Sequence, residues 1–246
     1  MNAKSLVACA ALLMGVAFVA PQASAAGVQS DIVGYTTMKA QAAGFDLIAL
    51  PLSNLNANTK ELAITEITGD LSSGRRESQC DKLFVMDPAT KQYKVYIYKT
   101  VSGEKFWAAE GESVPTTDTI KLGMGAFLDR VSAEGSVVIA GKVEMAETTD
   151  VATQPGLSIL ANPYPTAVKV ADIVGDIATG RRESQCDKIM VLDAATKVYT
   201  TYVFKKDGWV KNGEASVTTD TIPANASFFF DRTADTTGKL QFKRTY

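Results

Sequence analysis

Gly74-Arg75-Arg76-Glu77-Ser78-Gln79-Cys80-Asp81-Lys82 recurs without a change as Gly180-Arg181-Arg182-Glu183-Ser184-Gln185-Cys186-Asp187-Lys188. An identical run of this length marks an internal duplication, and the similarity extends outward from it. Upstream, Phe45-Asp46-Leu47-Ile48-Ala49-Leu50-Pro51 answers Leu157-Ser158-Ile159-Leu160-Ala161-Asn162-Pro163. Downstream, Leu83-Phe84-Val85-Met86-Asp87 answers Ile189-Met190-Val191-Leu192-Asp193, and Trp107 falls opposite Trp209. Further on, Thr116-Thr117-Asp118-Thr119-Ile120 recurs as Thr218-Thr219-Asp220-Thr221-Ile222, and Asp129-Arg130 as Asp231-Arg232. The copies divide near residues 142 to 155.

Within each copy the pattern is that of short strands, because β-branched and aromatic residues dominate and turn signals recur about every 8 to 12 residues. Val95-Tyr96-Ile97-Tyr98 and Tyr199-Thr200-Thr201-Tyr202-Val203-Phe204 are the clearest strands. Asp87-Pro88-Ala89-Thr90, Ser102-Gly103-Glu104 and Lys205-Lys206-Asp207-Gly208 supply turns, where Pro presets φ and Gly accepts positive φ. The stretch from Thr59 to Ile67, with a cap and apolar Leu62, Ala63 and Ile67, reads as a single helical turn. Counting about six strands per copy, the expectation is an all-β protein: two tandem, internally duplicated β-sandwich or barrel-like units related by pseudo-twofold symmetry. The units are placed at residues 26–142 and 143–246.

Residues 1–25 read as a signal peptide. Lys4 is followed by apolar residues from Leu6 to Ala20, then Pro21 and the small-residue run Ala23-Ser24-Ala25. Such a stretch rises only about 22 Å as a helix against a hydrocarbon core of roughly 30 Å, and no second long apolar run follows, so no transmembrane helix is expected. Leu6-Val7-Ala8-Cys9 imitates a lipidation signal, but Cys9 comes too soon after Lys4 for an apolar region of the needed length. Cleavage near Ala25 implies export to the periplasm, the outer surface or the medium. The C-terminal Leu240-Gln241-Phe242 alternation is broken at Arg244, and the strands fall short of the 9 to 11 residues of an outer-membrane barrel.

Composition removes several functions. The 246 residues carry 25 Lys+Arg against 27 Asp+Glu and no histidine. Without a basic tract there is no surface for nucleic acid or anionic lipid, because phosphate binding needs clustered cations. Without histidine the chain lacks the commonest general base and the usual zinc ligand, and two cysteines do not complete a zinc set, so no metal or cofactor is expected. The repeated acids Asp70, Asp81 and Asp87 do not follow a calcium-loop spacing. A duplicated chain carries its acids twice with nothing to mark one copy as active, so no enzyme and no catalytic residue is expected.

The order Gly44-Phe45-Asp46-Leu47-Ile48-Ala49-Leu50-Pro51, then Asp81-Lys82-Leu83-Phe84-Val85-Met86-Asp87-Pro88-Ala89-Thr90, a Tyr-rich strand, a Trp and Gly123-Met124-Gly125-Ala126-Phe127-Leu128 resembles a repeat of secreted proteins of environmental bacteria. That repeat runs as an "NLIANPL" strand, a "DKIYVWDPAT" hairpin and a "GxGFFV" strand. The resemblance covers nearly all of the chain after residue 25 and implies export and β architecture only. The Arg-Arg-Glu-Ser-Gln-Cys run departs from the pattern.

Three groups are candidate sites. Cys80 and Cys186 stand at equivalent positions. Three readings are open for them: a disulfide within the chain if the loops bring the Cα atoms to about 4.4 to 6.8 Å, bonds between chains, or separate buried thiols. Arg75, Arg76, Arg181 and Arg182 are candidates for an acidic glycan through bidentate contacts, against the plainer reading of solvated loops paired locally with Glu77 and Asp81. Tyr96 and Trp107, mirrored by Tyr202 and Trp209, are candidates for an aromatic sugar platform, against packing in the core. The function expected is a non-enzymatic, exported cell-envelope or surface protein in structural or adhesive assembly, its partner a further copy of itself. The alternative is a tandem module binding extracellular polysaccharide.

Overall fold

The alternation legible in the sequence becomes strands buried on one side. Along Thr148–Thr153 exposed and buried residues alternate, with Thr149, Val151 and Thr153 inward. The computed structural model describes residues 32–39, 44–55, 59–132, 135–193 and 196–245. The signal peptide read at residues 1–25, its Cys9 and the first residues of the first unit lie outside the described residues.

The first half runs through β1 (Val33–Lys39), β2 (Gly44–Ala49), β3 (Leu52–Ser53), β4 (Glu61–Ala63), β5 (Ile67–Gly69) and β6 (Lys82–Met86). It continues through β7 (Tyr93–Val101), β8 (Glu104–Ala109), β9 (Thr119–Lys121), β10 (Gly125–Arg130) and β11 (Ser136–Val143). The second half holds β12 (Thr148–Thr153), β13 (Gly156–Ala161), β14 (Val168–Lys169), β15 (Val174–Gly175) and β16 (Lys188–Leu192). It ends with β17 (Tyr199–Lys205), β18 (Gly208–Lys211), β19 (Thr221–Ile222), β20 (Ser227–Arg232) and β21 (Gly238–Lys243). These exceed the six or so per copy that the sequence suggested, because pieces of two or three residues carry too little alternation to be read. The helical turn expected between Thr59 and Ile67 is one 3-10 turn at Ile64–Glu66, repeated at Val170–Asp172.

The protein is all-β, with its small sheets set in a ring in the manner of a propeller. The halves share a strand order: β2-β10-β6-β7-β8 makes one five-stranded sheet and β13-β20-β16-β17-β18 the other. Sheets β1-β11-β3, with β5 also on β11, and β12-β21-β15 correspond in the same way, as do the pairs β4-β9 and β14-β19. One apolar cluster runs through both halves, from Ile48, Leu83 and Trp107 to Ile189, Trp209 and Phe242.

The five-stranded sheets meet at equivalent residues, Phe127 and Phe229, whose ring centroids lie 6.0 Å apart. Two hairpins reach across in a reciprocal pattern. Lys91 donates to the Leu157 carbonyl at 2.9 Å, and its counterpart Lys197 lies 3.3 Å from Asp46. Both lysines hold left-handed φ, 58° and 57°, after turns in which Asp87 and Asp193 accept from the backbone.

A buried ion pair closes each half. Asp81 and Arg130 are both enclosed, with Arg130 Nε 2.8 Å from the carboxylate. The same carboxylate accepts from the backbone of Ser72 at 2.9 Å and Val131 at 2.8 Å, while the guanidinium donates to the Asp70 carbonyl at 2.7 Å. In the second half Asp187 accepts from Ala178 at 3.0 Å and from the backbone and hydroxyl of Thr233 at 2.7 and 2.8 Å. Arg232 lies 3.8 Å from Asp187 and donates to the Asp176 and Thr236 carbonyls.

Such a pair is tolerated inside a protein only when hydrogen bonds replace the lost water, and removal of one partner strands the other. Arg130→Ala or Asp81→Ala is therefore expected to lower unfolding free energy by about 3–5 kcal/mol in urea denaturation. A loss below about 1 kcal/mol would show that the pair does not hold the fold.

Candidate binding surface

The repeated loop is built to close on itself. In each copy the residues after the second arginine form one 3-10 turn, Glu77–Gln79 and Glu183–Gln185. The Arg76 amide donates to the Gln79 side chain at 3.4 Å, and Arg182 to Gln185 at 3.2 Å. Gly74 lies so close beneath this glutamine that a Cβ would stand 2.7 Å from the Gln79 Cβ, and at Gly180 the approach is 2.4 Å. The thiol completes the loop: Cys80 Sγ accepts from the Gly74 amide at 3.2 Å and donates to the Arg76 carbonyl at 3.3 Å, and Cys186 repeats both contacts at 3.3 and 3.4 Å. Gly, Gln and Cys are each required by this closure.

Two expectations are corrected here. Cys80 and Cys186 are not joined to each other: both are free thiols, each 2% exposed and wrapped by its own loop, as in the reading of separate buried thiols. Nor is Asp81 a local partner of the loop arginines, since it is buried with Arg130. Glu77 lies 3.7 Å from Lys99 and Glu183 lies 3.6 Å from Lys188. Arg75, Arg76, Arg181 and Arg182 point into solvent with no ion pair among the described residues.

The aromatic platform is also corrected. Tyr96, Trp107, Tyr202 and Trp209 are all buried and offer no face to a sugar. Trp107 packs on Tyr98 at 5.2 Å, and Trp209 on Phe204 at 5.1 Å. Each indole N–H donates to the carbonyl that follows a 3-10 turn, Ile67 at 2.7 Å and Ile173 at 2.8 Å. Tyr96 donates its hydroxyl to Asp118 at 2.9 Å and Tyr202 to Asp220 at 2.8 Å. Burial, with the adjacent carboxylate, holds both phenols in the neutral form well above the usual tyrosine range. Asp118 is held below the usual carboxylate range, chiefly by the Lys94 ammonium at 2.6 Å.

The opposite faces of the sheets carry an aromatic surface that the sequence reading missed. Ring contacts run from Phe84 to Phe45 at 5.4 Å, from Phe45 to Phe127 at 6.2 Å, across the halves to Phe229 and on to Tyr199 at 5.8 Å. Tyr93 joins from the side, 6.4 Å from Phe84 and 6.2 Å from Phe127. Phe45 is 61% exposed, and Tyr93 and Tyr199 are each 46% exposed. Because side chains alternate along a strand, every other residue of β2, β6 and β10 points this way. The available signal was that both parities of these strands are apolar, as in Phe45-Leu47 beside Ile48 and Phe127 beside Leu128.

A second exposed surface flanks β1, an edge strand that pairs only with β11. Tyr35 is 79% exposed and Val33 60%, with Ala140 and Lys142 opposite them in the ladder. The corresponding sheet of the second half is polar, with Asp150 bonded to Lys239 at 2.6 Å and to Gln241 at 2.9 Å. Among the described residues no helix is long and apolar enough to cross a membrane. No family model, curated protein or solved structure matches the chain.

Two expectations follow from these environments. A maleimide reagent should leave Cys80 and Cys186 unmodified in the folded protein and modify both in denaturant, read by peptide mass; labelling of the native state would contradict their enclosure. The raised tyrosine pKa values mean that the folded state keeps its phenolic protons where the unfolded chain releases them, so stability is full below about pH 10 and falls above it. The fall should be shallower in Tyr96→Phe with Tyr202→Phe, and an unchanged alkaline limb would count against this origin.

Proposed function

We propose that this is a non-enzymatic structural or adhesive protein of the bacterial cell envelope or surface, exported by its N-terminal signal and assembled through contacts between copies of itself. The observation that carries the reading is the aromatic ribbon from Phe84 to Tyr199, which crosses both halves with three rings about half exposed or more. Contiguous exposed apolar surface of this kind is costly for a monomer and marks interaction sites. The edge strand β1 adds support, because an uncovered edge with few charges offers a ladder for another strand. The reading takes the halves as duplicated β units about a pseudo-twofold axis near Phe127 and Phe229. Two copies of such a unit give one molecule more than one contact surface, which is what a chain of subunits needs.

The tandem polysaccharide reading loses its aromatic residues to the core and rests on the exposed arginines of the two loops alone. Sedimentation of the chain without residues 1–25 is expected to show concentration-dependent association. Phe45→Ser with Tyr93→Ser should abolish it while leaving the circular dichroism spectrum unchanged. A monomer at all concentrations, or association untouched by the double substitution, would overturn the assembly reading.

A further inference from the structure

The duplication supplies an internal comparison, and at one place the halves part. Between the shared Thr-Thr-Asp-Thr-Ile and Asp-Arg motifs the copies align without a gap, which sets Gly123 opposite Asn225 and Gly125 opposite Ser227. Gly123 and Asn225 hold the same left-handed turn, with φ 83° and 59°. The consequences differ. Around Gly123 the loop is drawn tight: its carbonyl accepts from Ala161 at 2.8 Å, Met124 bridges Leu160, and a Cβ on Gly123 would stand 2.4 Å from Val151.

At Asn225 a side chain occupies the place that glycine leaves empty. The contact to β2 is made instead by Ser227, whose hydroxyl donates to the Ile48 carbonyl at 2.6 Å. Beside this loop lies a cleft of about 680 Å³, while the hollow beside Lys121–Met124 in the other half is about 390 Å³. Both volumes fall within the range of about 300–1,000 Å³ typical of small-molecule sites, and the cleft beside Asn225 is the larger of the two.

The lining is polar without free charge. Asp46 and Lys197 face each other at 3.3 Å, Arg130 is held by Asp81, and Asp193 accepts from the Thr196 amide at 2.8 Å. An ionic ligand would find no uncommitted counter-charge. Hydroxyls are available: Thr37, Thr200 and Thr221 line the cleft without hydrogen-bond partners among the described residues. Asn225 lines the cleft as well, with its Oδ1 turned away from solvent and without a hydrogen-bond partner. Leu47, Val191 and Leu192 supply apolar wall between these groups.

We propose that this cleft binds a neutral saccharide of one or two rings, its hydroxyls exchanging hydrogen bonds with the threonines, and its C–H faces lying on the aliphatic wall beside Asn225. Sugar hydroxyls donate and accept as threonine hydroxyls do, and a neutral ring carries no charge that the site would have to match. The other half, with glycine at this position, keeps only the smaller hollow. It is separate from the aromatic ribbon and does not depend on self-association.

Calorimetry and amide chemical shifts with cellobiose, maltose and N,N′-diacetylchitobiose test it, with glucuronate as the charged comparison. Saturable binding of at least one neutral disaccharide is expected, with shifts centred on Thr200, Thr221 and Asn225 and with no binding of glucuronate. Asn225→Gly keeps the turn, since glycine takes this φ without strain. It should weaken binding about tenfold by removing a side chain from the cleft wall, with no loss of melting temperature. Thr200→Val with Thr221→Val should weaken it as well, and Phe45→Ser with Tyr93→Ser should leave it intact. No binding by any of the three neutral probes, preference for glucuronate, or affinity unchanged in Asn225→Gly would each overturn the proposal.

Discussion

The buried carboxylate that follows each repeated loop is the constraint on which the rest depends. Asp81 and Asp187 are fully enclosed, and an enclosed carboxylate is stable only if its lone pairs and charge are answered. Those answers come from separate parts of the chain: an arginine at the end of β10 or β20, the amide just after it, and a backbone amide before the loop. The arginine also reaches the carbonyl after β5 or β15. One ion pair thus fastens four segments, and each half has its own. The loop with Gly, Gln and Cys in fixed places brings the chain to that aspartate at the right height.

Symmetry organises what these clamps hold. Phe127 on Phe229, and Lys91 and Lys197 reaching into the opposite half, make the contact between five-stranded sheets reciprocal. Reciprocity is not complete. Gly125 allows Ser227 and Ile159 to approach to within 2.6 and 2.7 Å of where its Cβ would be. Equivalent residues that meet this closely cannot both carry side chains, and one copy keeps glycine where the other carries serine. Gly123 and Asn225 differ for another reason, since a Cβ at Gly123 would meet Val151, and the groove beside Asn225 is the larger of the two.

The aromatic residues show how far periodicity reaches and where it stops. A strand reading separates two sets of side chains and says that each set shares a face. It set Tyr96 and Trp107 opposite Tyr202 and Trp209 as equivalents, and of the two placements open to them, platform and core, the structure takes the core. Tyr and Trp are amphipathic, so composition alone does not choose between core and surface. The available acceptors decided it: the partly exposed Asp118 and Asp220 and the buried Ile67 and Ile173 carbonyls take the polar atoms of these rings. On the other face Phe84, Phe127 and Phe229 are partly covered, while Phe45, Tyr93 and Tyr199 stay about half exposed or more.

By itself the amino-acid sequence determined the internal duplication, the β class, the hairpin turns at Asp87, Ser102 and Lys205, and the single helical turn before Ile67. These are local properties, written in propensity, period and the φ demands of a few residues. Tertiary structure alone decided that Cys80 and Cys186 are separate thiols, that Asp81 pairs with Arg130 and not with its neighbours Arg75 and Arg76, and which face of each sheet is covered. Those outcomes depend on which distant segments come together, and on the cost of burying a charge or a polar atom without a partner. Chain order does not carry that information, since it appears only when strands far apart in sequence share one sheet.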